Sequence, residues 1–172
     1  MEVSEAIRIR RSVREYDPRA VPRDIIDSIL EAGRVSPSAN NRQPWHFIVV
    51  TEPEKRMVLS EGRWAKFLSQ SPVVIVGCAD LKTSSKWAVV DTTIALTQMV
   101  LAATSEGLGT CWIGSFYEDK VKDLLGIPSG YQVVAMLAVG YPREKSLVEL
   151  ADRPRNRKRA EDIVSHEGFG KG

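Results

Sequence analysis

Four arginines and a serine crowd the start of the chain, in the stretch RIRRSVREYD at residues 8–17. Arg8, Arg10, Arg11 and Arg14 carry planar guanidinium groups, and Ser12 adds a hydroxyl donor. This combination suits a phosphate, which accepts paired hydrogen bonds from guanidinium groups. The alternative is a solvated charged helix face. These residues alone leave both explanations open.

A second basic cluster lies near the far end of the chain. Its members are Arg153, Arg155, Arg157, Lys158 and Arg159. Without the nine residues of both clusters, 15 of the 24 Lys and Arg remain against 22 acidic residues. The ends of a domain often lie close together, so both clusters could serve one anionic ligand. The formal net charge of only +2 argues against a nucleic-acid partner.

A polar loop, SPSANNRQPW at residues 36–45, separates an amphipathic helix from an apolar strand. Its amides and its two prolines offer many donors and acceptors on a stiffened backbone. Such a loop suits the edge of a flat heterocycle. Taken alone, however, the loop is better explained as a capped connection with Trp45 in the core.

Other kinds of site are excluded by residue types and spacing. Cys78, Cys111, His46 and His166 form no CxxC or Cys/His set, so we expect neither a metal site nor a disulfide framework. The stretch GLGTCW has Trp112 at its sixth position and precedes a strand, which is the reverse of a dinucleotide-binding loop. No nucleophile stands beside a candidate base.

The chain also lacks targeting and membrane signals. The start, MEVSEAIRIR, has no apolar segment typical of a signal peptide. The most apolar helix candidate, residues 91–107, begins with Asp91 and is too short to span a bilayer. We therefore expect a cytoplasmic protein with no membrane partner.

Hydrophobic periodicity predicts alternating helices and strands, with no internal repeat and no linker. Helices are predicted at 4–11, 21–35, 53–68, 91–107 and 117–125, and strands at 46–51, 72–79, 110–115 and 132–141. Thr51 begins a capping box, TEPE, into the third helix, and Gly107 closes the fourth. The predicted fold class is α+β, an α/β three-layer sandwich.

Four motifs together resemble the nitroreductase family of flavin enzymes: RRSVREY, SPSANNRQPWHFIVV, EGLGTCWIG and AVGYP. They occur in the family's order over about residues 5–166, and the chain is similar to the compact members of the family. The resemblance implies one domain over residues 1–172, with a basic tail at about 151–172. It also implies a central, mainly antiparallel sheet flanked by helices, in a domain-exchanged homodimer.

The resemblance assigns residues to an FMN cofactor. Arg10, Arg11 and Ser12 would hold its phosphate and ribityl chain, and Arg14 would lie near the N1–C2=O edge of its ring. Arg8 would belong to a solvated charged helix face instead. In the tail, Arg155 and Arg157 match the family's phosphate-binding basic pair best.

Three further segments would line the flavin ring by the same resemblance. Pro37, Ser38, Ala39 and Asn41 would lie along it from the partner subunit. Trp112, Ile113 and Gly114 would pass one face, with the Gly114 amide at N5, where many relatives have an acidic residue. Lys66, or Arg63, would approach the cofactor, although surface charge on a helix explains them equally well.

The implied activity is that of an FMN-dependent oxidoreductase that takes hydride from NAD(P)H. Electrons would pass to nitroaromatic, quinone or flavin acceptors by a ping-pong mechanism. The homodimer is further suggested by helix 91–107, which is apolar on nearly every side and needs a cover. Two alternatives remain: a specialised flavin enzyme of the same fold, acting in reductive dehalogenation or flavin destruction, and a nucleotide- or nucleic-acid-binding module that uses the basic tail.

Overall fold

A four-stranded sheet forms the centre of the protein, in a computed structural model that describes residues 1–144 and 155–170. The strands are β1 (Trp45–Val50), β2 (Val73–Asp80), β3 (Gly109–Ile113) and β4 (Tyr131–Gly140). Their order across the sheet is β1-β2-β4-β3, and every neighbouring pair is antiparallel. The described helices are α1 (Val3–Ile9), α2 (Arg23–Arg34), α3 (Pro53–Leu59), α4 (Ala88–Ser105) and α5 (Glu118–Leu125), with short 3₁₀ turns at Ala39–Asn41, Lys66–Ser69 and Ala160–Asp162.

The side chains of the sheet alternate between two separate cores, because successive residues of a strand point to opposite faces. On β2, Val73 and Ile75 pack with Leu96 and Met99 of α4 and Ile29 of α2. On the opposite face, a second core gathers residues from β2, β3, β4, α5 and the N-terminal segment: Val74, Val76, Cys78, Ile113, Val121, Met136, Val13 and Tyr16. The three-layer α+β expectation is therefore confirmed.

Helix α4 begins at Ala88, three residues earlier than predicted. Its 18 residues meet the length and composition of a membrane-spanning helix, so the prediction that this helix is too short to span was wrong. Half of it is buried within the fold, as in the core helix of a globular protein. Its end agrees with the prediction: Gly107 follows the C-cap with φ +74°, in the left-handed region that favours glycine.

The third helix differs most from its prediction. It ends at Leu59 instead of continuing to residue 68, and Lys66–Ser69 form a separate 3₁₀ turn. Between the two lies Gly62, where a side chain would not fit, because a Cβ there would lie 2.3 Å from the Ser115 carbonyl oxygen. The predicted capping box is also wrong: the helix begins at Pro53 after Glu52, with no side-chain cap.

Two smaller expectations change as well. Helix α1 ends at Ile9 instead of residue 11, because the residues that follow are extended and pair with β3. Trp45, expected in the core, is half-buried at an edge of the sheet and stacks on Phe47, with ring centroids 6.3 Å apart. Of the basic tail, residues 151–154 and 171–172, including Arg153, lie outside the described residues.

Candidate functional site

The N-terminal arginine segment lies beside β3 as a short additional edge. Ser12 forms a parallel bridge with Thr110, and Val13 N–H donates to the Thr110 carbonyl at 2.9 Å. Val13 and Tyr16 anchor the segment, since both are buried and the Tyr16 hydroxyl donates to Val13 O at 2.7 Å. The arginines are therefore carried on backbone that is fixed to the sheet.

Gly109 makes this close approach possible. A Cβ at this position would lie 2.6 Å from Val13 Cγ2 and 2.9 Å from Pro142 Cγ. Only glycine lets the N-terminal segment pack so closely against the start of β3. In the sequence, the glycines of GLGTCW resembled a phosphate loop, but the structure gives Gly109 a packing role.

The Cys111 thiol marks the point where the arginine segment meets β3. Burial raises the pKa of Cys111, and the charges of Arg14 and Arg10 and a hydrogen bond with Ser12 oppose that rise. The net pKa stays above the ordinary value, so the thiol is protonated at neutral pH. Arg10, Ser12 and Arg14 can act on this thiol only because all three lie close to Cys111 on β3.

A cleft of about 290 Å³ opens at the end of β3. Arg14 borders it with an aromatic and backbone wall made of Trp64, Phe67, Cys111, Trp112, Ile113, Gly114 and Ser115. The Arg14 guanidinium lies 5.9 Å from the centre of the Phe67 ring. Apart from Gly114 and its two chain neighbours, no atom of the described residues lies within 4 Å of the place where a Gly114 side chain would begin, so this backbone faces open space.

A larger groove of about 690 Å³ continues from the cleft, with Arg14, Trp64 and Phe67 lining both. The groove adds three cations, Arg63, Lys66 and Arg143, and a single carboxylate, Glu15. Over residues 1–144 and 155–170, neither Arg14 nor any of these three cations has a salt-bridge partner. Of these three cations, Arg143 is the one that the sequence analysis did not single out.

Arg10 and Arg11 line a separate cavity of about 550 Å³, together with Arg8 and the apolar residues Ile9 and Val13. The C-terminal tail reaches the same place, because Arg155 Nη2 donates to the Arg10 carbonyl at 2.8 Å. Arg157 is exposed two residues further on. The expected meeting of the two basic clusters therefore occurs.

The loop from Pro37 to Asn41 lies at the opposite edge of the sheet, before β1. Two strands, β2 and β4, separate β1 from β3, which at the usual strand spacing is about 14 Å. The loop packs against α4: Ser36 Oγ donates to Gln98 Oε1 at 2.6 Å, and Ala39 N–H donates to Asp91 Oδ2 at 3.2 Å. One chain does not bring this loop to the cleft beside Gly114.

The loop backbone is strained. Asn40, Asn41 and Gln43 have φ of 52°, 54° and 50°, the left-handed region that costs a residue with a side chain about 1–2 kcal/mol, with asparagine tolerating it best. Gln43 N–H donates to Ser38 Oγ at 2.9 Å, which closes the turn. Strain that the surrounding structure maintains is typical of ligand-binding segments.

The described side chains fit the chemistry of a flavin mononucleotide better than that of a metal. No group of three His, Cys, Asp or Glu side chains that could hold a metal ion occurs in the part of the chain the structure describes. Arg10 and Arg11 line one cavity, and Arg155 donates to the Arg10 carbonyl, so three residues with guanidinium groups lie near one another. The cleft beside Gly114 offers aromatic walls, exposed backbone and a neighbouring cation, which suit a flat ring that becomes negatively charged on reduction.

Comparison with known proteins identifies the family. The model of the nitroreductase family matches residues 7–70 and 53–141. Two relatives are named "Putative NADH dehydrogenase/NAD(P)H nitroreductase". The one from Archaeoglobus fulgidus is 37% identical, over 88% of this chain and 92% of its own length. The one from Methanothermobacter thermautotrophicus is 40% identical, over 84% of this chain and 79% of its own length.

A solved structure supports the same assignment. The FMN-dependent nitroreductase of Clostridium difficile R20291 superposes with a TM-score of 0.78 at 29% identity, over 93% of this chain and 96% of that one. The chain belongs to the nitroreductase family. The resemblance drawn from its motifs is confirmed, and with it the expectation of an oxidoreductase that uses FMN and NAD(P)H.

Proposed function

We propose that this protein is a homodimeric FMN enzyme that oxidises NAD(P)H and reduces flat acceptors, such as nitroaromatics, quinones or free flavins, in two half-reactions. One observation carries the proposal. Arg14 and the Trp112–Gly114 backbone border one open cleft, next to cations that have no carboxylate partner in the described chain. Unneutralised charge beside an aromatic cleft suits a ligand that is both flat and anionic.

Arg10, Arg11 and Ser12 would hold the FMN phosphate and ribityl chain, with Arg155 and Arg157 approaching from the tail. Several guanidinium groups can share one phosphate dianion through charge-assisted hydrogen bonds. The contact from Arg155 to the Arg10 carbonyl favours this assignment, because it brings charges from both chain ends to one place.

Arg14 and Lys66 would face the pyrimidine edge of the ring. Their positive charge favours the anionic reduced form and so raises the reduction potential. Trp112 and Ile113 would border one face, and Gly114 would present backbone N–H at N5. With glycine in place of an acidic side chain, the approach to that atom stays open.

When bound, FMN supplies the hydride acceptor of the first half-reaction and the electron donor of the second. The chain's own residues bind and orient the ring and hold charge near it. No protein acid or base is required, which agrees with the lack of a nucleophile and base pair in the sequence. NAD(P)H and the acceptor would use the open side of the cleft in turn, which gives ping-pong kinetics.

The second chain completes the site in this proposal. The loop with Pro37, Ser38, Ala39 and Asn41 is too far from its own cleft, so it would serve the flavin of the partner. Helix α4 offers a face for the interface, because Val90 and Ile94 are exposed apolar residues on it. The tail supports the same arrangement: Ile163 and Phe169 are exposed, as expected for a segment that packs on another chain.

We further propose a single domain over residues 1–172 and a cytoplasmic location. The two cores share one sheet, which favours one folding unit. No observation on the described residues requires an extracellular setting, and both cysteines are free.

The test begins with the purified protein. We expect yellow protein with one FMN per chain, and anaerobic NADH or NADPH should bleach its visible band. Air or a quinone should restore the band. Colourless protein that takes up no added FMN would overturn the proposal, and bound FMN that neither pyridine nucleotide reduces would overturn its first half-reaction.

A further inference from the structure

Helix α4 carries a buried carboxylate near its start. Asp91 is only 3% exposed and has no salt-bridge partner within the described ranges. Its one side-chain hydrogen bond in those ranges comes from Ala39 N–H, at 3.2 Å. A buried charge with so few partners is costly, because little in the protein replaces its lost hydration. The N-terminal turn of a helix offsets part of that cost, because the helix dipole favours negative charge there.

Two other buried polar side chains near Asp91 in the sequence make no hydrogen bond among the described residues. The hydroxyls of Ser84, four residues before α4, and of Thr92, within it, are also buried, and neither has a hydrogen-bond partner among the described residues. Of these three buried polar side chains, only that of Asp91 has a hydrogen bond in the described ranges, and its partner lies in the loop. The Asp91 carboxylate therefore accepts its hydrogen bond from the 36–43 loop rather than from its own helix.

A second residue of α4 holds the other end of that loop. Gln98 lies two turns after Asp91 on the same side of the helix, and its Oε1 accepts from Ser36 Oγ at 2.6 Å. The loop is thus held at Ser36 and at Ala39. Directly after Ala39 comes the strained turn, with left-handed φ at Asn40, Asn41 and Gln43. A turn with three such residues keeps its shape only when its surroundings hold it.

We propose that Asp91 is a positioning residue for flavin binding: its carboxylate holds Ala39 N–H and thereby fixes the strained loop in the shape that faces the flavin of the partner chain. The inference rests on the proposed function, since it assigns the loop to that flavin. It also gives a physical link between dimer and cofactor, because α4 carries both the anchor and the exposed apolar face.

The first experiment measures the anchor without flavin. Hydrogen exchange of the apo-protein should show Ala39 N–H protected in the wild type. Asp91→Ala should exchange this amide about tenfold faster or more, while Asp91→Asn, which keeps an oxygen acceptor, should stay near the wild type. Asp27→Asn is the matched control, because Asp27 is an exposed carboxylate paired with Arg23 on α2. Equal exchange in all four proteins would overturn the anchor.

The second experiment measures the cofactor. Asp91→Ala should raise the Kd for FMN about tenfold to hundredfold and change the visible circular dichroism of bound FMN, with far-UV signal and dimer mass unchanged. Asp91→Asn should restore most of the affinity, and Asp27→Asn should match the wild type. If Asp91→Ala does not fold, Asp91→Ser takes its place, since its hydroxyl is too short to reach Ala39.

The outcomes separate the two proposals. Wild-type protein that binds no FMN contradicts the proposed function, whatever the exchange data give. Wild-type protein that binds FMN, together with Asp91→Ala of unchanged Kd and visible spectrum, overturns the role of Asp91 alone. A loss of thermal stability with unchanged Kd and spectrum would also overturn it, because the residue would then be structural only.

Discussion

Arg155 Nη2 donates to the carbonyl of Arg10 at 2.8 Å, across 145 residues of sequence. Two basic segments that would repel each other in isolation are thus brought into contact. Such an arrangement is costly without an anion and becomes favourable when one binds. The contact supports our proposal that the phosphate of the cofactor binds here.

The first prediction concerns these arginines. Arg10→Ala or Arg11→Ala should each weaken FMN binding by about 1.5–3 kcal/mol, because each removes charge-assisted hydrogen bonds. Arg8→Ala should change the affinity little, although Arg8 borders the same cavity. Titration of apo-protein by flavin fluorescence quenching measures all three. Equal losses would mean a diffuse electrostatic patch instead of a defined phosphate site.

The second prediction concerns steady-state kinetics. Because one open cleft would serve NAD(P)H and then the acceptor, double-reciprocal plots for NAD(P)H should be parallel at several quinone concentrations. The comparison should be made with a second acceptor, a nitroaromatic, which should give the same pattern. Lines that intersect would indicate a ternary complex and a second substrate pocket.

The third prediction tests the dimer. Ile94 is 37% exposed on α4, so Ile94→Asp should fold but place a charge in the proposed interface. We expect sedimentation to show monomer, with FMN lost at the same time, since each event stabilises the other. Leu101→Asp should also give monomer without FMN. Because Leu101 is half-buried in its own chain, however, this substitution should destabilise the fold as well as the interface.

Met57→Asp serves as the control for that experiment. Met57 is 60% exposed on α3, away from α4, and its substitution should leave dimer and flavin intact. A monomeric Ile94→Asp protein that keeps a full complement of FMN would contradict a site shared between chains.

The fourth prediction follows from Gly109. Gly109→Ala should lower the free energy of unfolding by about 1–3 kcal/mol, because the added methyl group overlaps Val13 and Pro142. It should also weaken FMN binding, since Ser12 and Arg14 flank the displaced Val13. Urea unfolding and FMN titration measure the two effects. Gly114→Ala is the control for stability, as its methyl group would meet nothing within 4 Å.

The fifth prediction concerns alkaline pH. Burial raises the pKa of the Cys78 thiol from 9.0 to about 11. The unfolded chain therefore loses this proton first, and the free energy of unfolding should fall as pH rises from about 9 to about 11, by roughly 2–3 kcal/mol at most. Below pH 9 this contribution is fully present.

Cys78→Ala checks the source of that pH dependence. It should be less stable than the wild type at pH 7 because of the small cavity it leaves, but its stability should fall less between pH 9 and 11. Urea unfolding at pH 7, 9, 10 and 11 gives the comparison. Identical slopes for the two proteins would assign the alkaline loss to other groups.

The sequence by itself determined the family, the cofactor and the order of elements. Buried strands such as Val73–Asp80 are continuous apolar runs, and the end of α4 is marked by Gly107, so local residue chemistry was enough for them. Family motifs pointed to Arg10, Arg14 and Gly114 because their spacing is local and characteristic.

Tertiary contacts decided what local patterns could not. The third helix ends at Leu59, and the chain that follows packs Gly62 against the Ser115 carbonyl, a contact across 53 residues that no helical periodicity encodes. Arg143 and Asp91 likewise acquire a role only through their neighbours. Arg143 joins a groove whose cations have no salt-bridge partner among the described residues, and Asp91 is buried opposite Ala39. Periodicity reports which face of an element is apolar, whereas the partner of a charged side chain depends on which elements the sheet order brings together.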